Sequence, residues 1–457
     1  MNQSMHRNEA LMQSVTKRNR RACLFTAAFL LGAGSHVHQT MASVPPFESM
    51  SINILPPMPG GTSTRVSDII EIGRSQSGFD VWEHAVSGSA CDAVGRWMPA
   101  LWLCNNEVIE GPILLNVNGG QGQANGLAVD PNNPNVVYIG GTAFNGSSEQ
   151  RAALWTVNLA SLATDTNGQA TQGVKFQPFQ QTFSGGVRVA AGDLNGDGLT
   201  DIIVGGTTSS LLVPAVQKVR VWTHLGGSSG FSHVDLPGGN TGGDCGIHSM
   251  VLEFQSVLIS GFSQTPNGHE QATIWRMRAV EFDLDSNETI WNVERSMLPG
   301  GRPSSARTET VENNESITVG GSNTPSIGKT LPAVWSANSS SLGWQLRNLP
   351  LPEGANGGRV NGIIAILTGL LVPGDVSGPD GSSAAMWMVD ANGEAIGINL
   401  NSFPSNHPEF YLNSVSCILP YMEQYPVYKM IGSATGPRGM KLGFVGTLIG
   451  SPEYFGQ

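Results

Sequence analysis

DLPGGNTGGDCGIHSMVLEFQSVLISGFSQTPNGHEQATIW, residues 235–275, holds one complete cycle of a pattern that runs through the chain. It opens on a proline and a double glycine and passes through an apolar stretch. It then reaches a small-residue marker at Gly261 and closes on an apolar run ending at Trp275. The marker recurs in AVSGS at 85–89, YIGGT at 138–142, IVGGT at 203–207, TVGGS at 318–322, LVPGD at 371–375 and MIGSA at 430–434. Downstream of each lies an apolar run with a closing aromatic: Trp102, Trp155, Trp222, Trp275, Trp335, Trp387 and Phe444. The marker-to-aromatic spacing stays between 12 and 16 residues in all seven.

Two further elements share this phase. A strand ending near proline or a double glycine occurs seven times: INILPPMPGG, ILLNVNGG, FQQTFSGG, HVDLPGG, RSMLPGG, RNLPLPEG and IGINLNSF. Between it and the marker lie stretches such as RVSDIIEIG, ANGLAVDPN, VRVAAGDLN, CGIHSMVLE and GRVNGIIAI. Each unit therefore holds about four short strands over 52 to 67 residues, judged between successive aromatics. Periods of this size belong to solenoids, propellers or arrays. Seven four-stranded units predict an all-β fold, a seven-bladed β-propeller. The first outer strand is N-terminal and only a short tail follows Phe444. The N-terminal strand is thus expected to complete the seventh blade and close the ring, which removes open sheet edges. An aromatic repeated at one position is architectural, so the seven are expected in the core. Trp82, Trp97, Trp291 and Trp344 fall outside the register and are candidates for ligand contact, with partial burial the simpler expectation.

Composition agrees with many short strands and tight turns. Of 457 residues only 13% are charged, 58 are glycine and 40% are hydrophobic. That supplies a core and argues against disorder and against a helical cytosolic enzyme. Lys17, Arg18, Arg20 and Arg21 precede the apolar run Ala22–Gly34 and a small-residue site at Thr40-Met41-Ala42. This tripartite order is that of a secretory signal, giving a signal segment over 1–42 and one propeller domain over 43–457. The apolar run is too short to span a bilayer, and no later segment is long and apolar enough. The formal net charge is −11 and becomes more negative without residues 1–42. That argues against nucleic acid and anionic membrane surfaces as partners. The expected product is a secreted, extracellular or periplasmic monomer whose partner is a protein or glycan.

Cys91, Cys104, Cys245 and Cys417 lie beyond the signal. Export permits disulfides and four cysteines allow three pairings. Cys91–Cys104, flanking RWMPALW, is favoured. No C-x-x-C is present, which argues against structural zinc.

GDLNGDGLTDIIVGG, residues 192–206, carries the clearest chemistry. Asp193, Asn195, Asp197 and Asp201 alternate with other residues, and the Leu199 carbonyl lies between them. Gly198 permits the sharp turn after the third ligand. Calcium takes six to eight oxygens, and this spacing offers five protein groups plus water. An EF-hand would need a glutamate at position twelve, where Val204 stands, and flanking helices. The expectation is one calcium ion in a β hairpin. The plain alternative is an Asx/Gly turn. The same slot in the second unit, DPNNPN at 130–135, lacks the carboxylates and reads as a turn.

The stretch 192–206 resembles the FG-GAP calcium-loop repeats of integrin-type seven-bladed propellers, and one of the seven units matches well. Units such as 235–275 resemble bacterial HAF-type extracellular repeats, loosely, over nearly all of 50–446. Neither repeat carries a defined catalytic set. The resemblance implies a secreted or surface propeller with structural calcium.

No catalytic constellation stands out. GGSSG at 226–230 fits G-x-S-x-G only formally, without the strand-to-helix elbow. None of His84, His224, His233, His248, His269 and His407 has a metal-type partner nearby in sequence; His248, on an expected inner strand, is the one to follow. Paired acids for glycoside cleavage converge only in three dimensions. The leading expectation is a non-enzymatic exported propeller with a binding or cell-surface role. The alternatives are a polysaccharide-acting propeller enzyme and a purely structural wall component.

Overall fold

The computed structural model describes residues 47–450 apart from 73–81, 106–107, 116, 118–120, 145–149, 209–217, 226–229, 239–244, 254, 284–287, 313–315, 327–328, 339–342, 367–368, 391, 403–405 and 423–426. Seven antiparallel blades follow one another around a ring. Blade one runs Thr64–Glu71, His84–Cys91, Trp97–Cys104, Ile109–Leu114 from the axis outward. Blade four runs Cys245–Glu253, Ser256–Gln264, Glu270–Asp283, Glu288–Met297, and blade five runs Ser304–Glu312, Ser316–Ser326, Lys329–Asn338, Gln345–Asn348. Blade seven takes Tyr411–Met422, Val427–Thr435 and Lys441–Gly450 from the C-terminal end and Phe47–Ile54 from the N-terminal end. Phe47 pairs with Gly450 and Ile54 with Phe444. First and last strands thus share one sheet, as the phase of the repeat predicts.

The repeated aromatics are the core. Trp102, Trp155, Trp275, Trp335, Trp387 and Phe444 are fully buried, and Trp222 nearly so. In six blades the tryptophan stands opposite a β-branched residue two before the marker glycine, as Ile259 opposite Trp275 and Val319 opposite Trp335. Blade seven departs: Phe444 stands opposite Gly432 itself.

The proline element has a partner in the aromatic. The indole Nε1–H donates to the Pro56 carbonyl from Trp102 (3.2 Å), to Pro237 from Trp275 (2.9 Å), to Pro299 from Trp335 (2.7 Å) and to Pro350 from Trp387 (2.7 Å). The leucine before each of these prolines is buried: Leu55, Leu236, Leu298 and Leu349. Its N–H bonds the third strand of the blade just left, at Gly443, Val219, Ala272 and Pro332. One linker therefore ties two blades. A buried indole N–H needs an acceptor, and the linker carbonyl supplies it.

Blades two and three are joined differently. A single strand, Val174–Gly192, pairs with Gln150–Asn158 over its first half and with Asp201–Thr208 over its second. It carries no Leu-Pro linker. Phe179 instead stacks on Trp222 with ring centroids 4.7 Å apart.

The marker glycines have a steric cause. A β carbon at Gly88 would lie 2.0 Å from the Arg65 carbonyl oxygen, and one at Gly321 2.0 Å from that of Ser305. At these points the innermost strand bulges. The register shifts between Val66 and Asp68, Ala124 and Gly126, Ile247 and Ser249, Ala306 and Thr308, and Val415 and Cys417. A bulge bends its strand and re-aims a side chain. The residues it frees are Ser67, Asn125, His248, Arg307 and Ser416.

The favoured Cys91–Cys104 disulfide is corrected. Cys91 pairs with Trp97 and Cys104 with His84, at opposite ends of one hairpin. Seven residues of extended strand separate them, roughly 23 Å at about 3.3 Å per residue, against the less than about 7 Å between α carbons that a disulfide allows. Both thiols are free and buried. The side chain of Cys417 lies outside the described residues.

Candidate functional sites in the blade-three loop and the channel

Gly192 pairs with Asp201, so Asp193–Thr200 is the hairpin loop between the first and second strands of blade three. All five predicted ligand residues sit on it or at its foot. The Asp193 carboxylate accepts from the amides of Gly196 (2.7 Å), Asp197 (3.1 Å) and Gly198 (2.9 Å). Asp197 accepts from the Leu199 amide (2.7 Å) and from the Asn195 side-chain amide (2.9 Å). Asp201, fully buried, accepts from the Leu194 amide at 2.7 Å. Positive φ at Gly196 and Gly198 (77° and 82°) lets the chain curl around Asp193. The donor set is all oxygen, which suits a hard cation. Here the carboxylates close the loop on backbone amides, and among the described residues no three acidic, histidine or cysteine side chains converge as a metal cluster.

The DPNNPN turn of blade two does more than turn. Asn132 donates to the Gly198 carbonyl and to Thr200 Oγ1, each at 3.1 Å. Thr200 donates to Asp130 at 2.5 Å, and Tyr138 donates to the other Asp130 oxygen at 3.1 Å. The blade-three loop is thereby clasped to its neighbour.

The second site is the axial channel, a cavity of about 370 Å³ lined by the inner strands. Asp68, His248, Arg188, Arg307, Arg359 and Asn361 bring its chemistry. Asp68 accepts from the amides of Ile69 and Leu127, both at 2.9 Å, linking blades one and two. Burial holds its carboxyl above the usual range, opposed by the Arg188 charge. Arg188 donates to the His248 carbonyl at 2.5 Å and to that of Asn125, spanning blades two to four. Gly126 and Gly140 permit this, since side chains there would press on the Arg188 backbone. Arg359 donates to Asp375 at 2.7 Å, and Asn361 donates to the same oxygen at 2.9 Å.

Arg307 differs from the other two arginines. Its Nε–H is buried without a hydrogen-bond partner. Burial, then the Arg359 charge, draws its guanidinium down to about 10, so it remains a cation at neutral pH. Burial and the charges of Arg307, Arg188 and Arg359 push the His248 imidazole down to about 3 and keep it neutral. An inner-strand position for His248 is as expected; the arginines were not anticipated.

A separate buried group lies at the closure of the ring. His84 is pushed down to about 4 by burial and by Lys429. Lys429, itself lowered by burial, donates to Thr447 at 2.8 Å. Burial drives the facing Cys104 thiol up to about 12.

The remaining candidates fall away as ligand contacts. Trp82, Trp291 and Trp344 are half-buried against the cores of their blades, and Arg65 lies over the Trp97 ring at 4.1 Å. Most of GGSSG lies outside the described residues.

A closed ring of seven four-stranded blades, with one acidic hairpin loop, defines a β-propeller. The FG-GAP repeat family matches residues 185–222, the stretch that spans the acidic loop. A search of curated proteins matched none. Among solved structures the chain is similar to a protein of unknown function from Dyadobacter fermentans (8% identity, 71% of this chain and 94% of that one, TM-score 0.43). It is also similar to the NanB sialidase of Streptococcus pneumoniae (10%, 91% and 73%, TM-score 0.42) and to the sucrose-6-phosphate hydrolase of Lactobacillus gasseri (9%, 86% and 92%, TM-score 0.32). At such identities and TM-scores nothing further rests on these likenesses.

Proposed function

We propose that the chain is an exported, non-enzymatic binding propeller, monomeric, with a calcium ion supporting the blade-three loop. One observation carries the binding reading. Among the described residues Asp68 lines the channel and Asp375 holds two of its lining side chains, and both are engaged: Asp68 by amides, Asp375 by Arg359 and Asn361. Hydrolysis of a polysaccharide needs one carboxyl as acid and another as base or nucleophile across the scissile bond. The basic-then-apolar N-terminus and the extracellular repeats that the sequence resembles support export. Among the described residues no helix is long and apolar enough to cross a membrane.

Calcium would be held by Asp193, Asn195, Asp197, the Leu199 carbonyl and Asp201. A ligand that binds only the folded chain raises its stability. The mature chain should therefore melt higher in millimolar calcium than in EDTA, and Asp197→Ala should abolish the difference. Equal melting curves would leave an Asx/Gly turn. The binding reading is tested by incubation with a polysaccharide panel: ligand is retained and no product is released. Product release that Asp68→Asn abolishes would make the chain an enzyme.

A further inference from the structure

We propose that the channel cavity takes a small hydroxylated molecule bearing a carboxylate or phosphate group, gripped by Arg307. This rests on the binding reading and names its ligand class. The bulge between Ala306 and Thr308 turns Arg307 toward the axis. Its buried Nε–H meets no acceptor. A guanidinium edge is shaped for two parallel bonds to an oxyanion, which would satisfy that donor.

The surroundings favour an anion. Three guanidinium groups line the cavity, with Asp68 and Asp375 as the facing carboxylates and Glu270 acting on Arg307 from blade four. Asp375 is taken up by Arg359, and Asp68 caps two amides. Arg188 is pinned to two backbone carbonyls, so its charge is held in place. With Asp375 taken up by Arg359, the guanidinium charges of Arg188 and Arg359 beside Arg307 favour an anion over a cation there. The rest of the wall offers Ser67, Ser249, Thr308, Ser414 and Ser416, hydroxyls suited to a polyol. The cavity, about 370 Å³, lies at the small end of the usual ligand-pocket range of ~300–1,000 Å³.

The test is calorimetric titration of the full mature chain at constant ionic strength. Glucuronate, glucose 6-phosphate, inorganic phosphate and glucose are the probes. Glucuronate or glucose 6-phosphate should bind, and whichever is tighter identifies the oxyanion. Glucose should bind at least ten-fold more weakly than the tighter acid. Arg307→Met should weaken that acid on the order of 10- to 100-fold, the range for losing a hydrogen-bonded charge. Arg307→Lys, which keeps the charge without the fork, should fall between them and serves if the methionine variant does not fold. Glucose binding as tightly as either acid, acid binding undiminished in both variants, or binding by none of the probes would overturn the inference. Retention of a neutral glycan without any acid would overturn it while leaving the binding reading standing. Binding followed by conversion of the acid would support it and end the non-enzymatic reading.

Discussion

The layer of tryptophans and leucine-proline linkers and the lining of the channel lie on the same blades but obey different rules. The outer layer repeats: Trp102, Trp275, Trp335 and Trp387 each bond a proline carbonyl on the linker into their own blade. The lining does not. The bulges of five blades present Ser67, Asn125, His248, Arg307 and Ser416, which are small, amide, imidazole and guanidinium side chains at one structural position. Repetition marks what every blade needs in order to pack. Its absence at a point the repeat has made equivalent marks what the ring is free to use for recognition.

The comparison is sharpened by perturbing each side. Trp335→Ala should have the largest effect, about 3–5 kcal/mol as for other buried aromatics, because it opens a cavity and strands the Pro299 carbonyl. Denaturant unfolding measures it. Gly321→Ala should follow, costing about 1–3 kcal/mol by overpacking, since the new methyl would meet the Ser305 carbonyl. Both probe the repeated layer.

Acid should act at the buried histidines. Burial holds His84 at about 4 in the folded chain, below its ordinary value of 6.5, so the unfolded chain takes up its proton first. The stability owed to the neutral ring is present above pH 6.5 and lost as pH falls toward 4. His84→Gln should flatten the melting profile over that window, with His233→Gln as an exposed control. The smallest effect is expected at the clasp between loops. Thr200→Val removes the bond to Asp130 and should cost about 0.5–1.5 kcal/mol.

Much of the repeated layer was legible in the sequence because packing forces one residue type at one phase. Marker glycine, aromatic and proline linker could be counted, and closure followed from which element was missing at the end. What the count did not give was cause: the glycine is small because a bulged inner strand lies against it. The channel was less legible. Arg188, Arg307 and Arg359 are far apart in sequence, and only the ring brings them together. His248 and Arg307 share one bulge through strand pairing and not through counting, since the marker glycine follows 13 residues after His248 and 14 after Arg307. The cysteine pairing failed for the converse reason, since Cys91 and Cys104 are near in sequence but end opposite ends of a hairpin. The acidic loop was legible as a loop, and its oxygens do gather on one turn, but amides hold them.

The claim that the lining serves recognition and the outer layer serves stability is tested most directly by comparing the melting temperatures of Trp335→Ala and Arg307→Met with the parent chain, without ligand. The account predicts a large fall for Trp335→Ala. It predicts an equal or higher melting temperature for Arg307→Met, because that change removes a buried charge set among like charges. A fall for Arg307→Met as deep as that for Trp335→Ala would contradict it and make the arginine part of the frame.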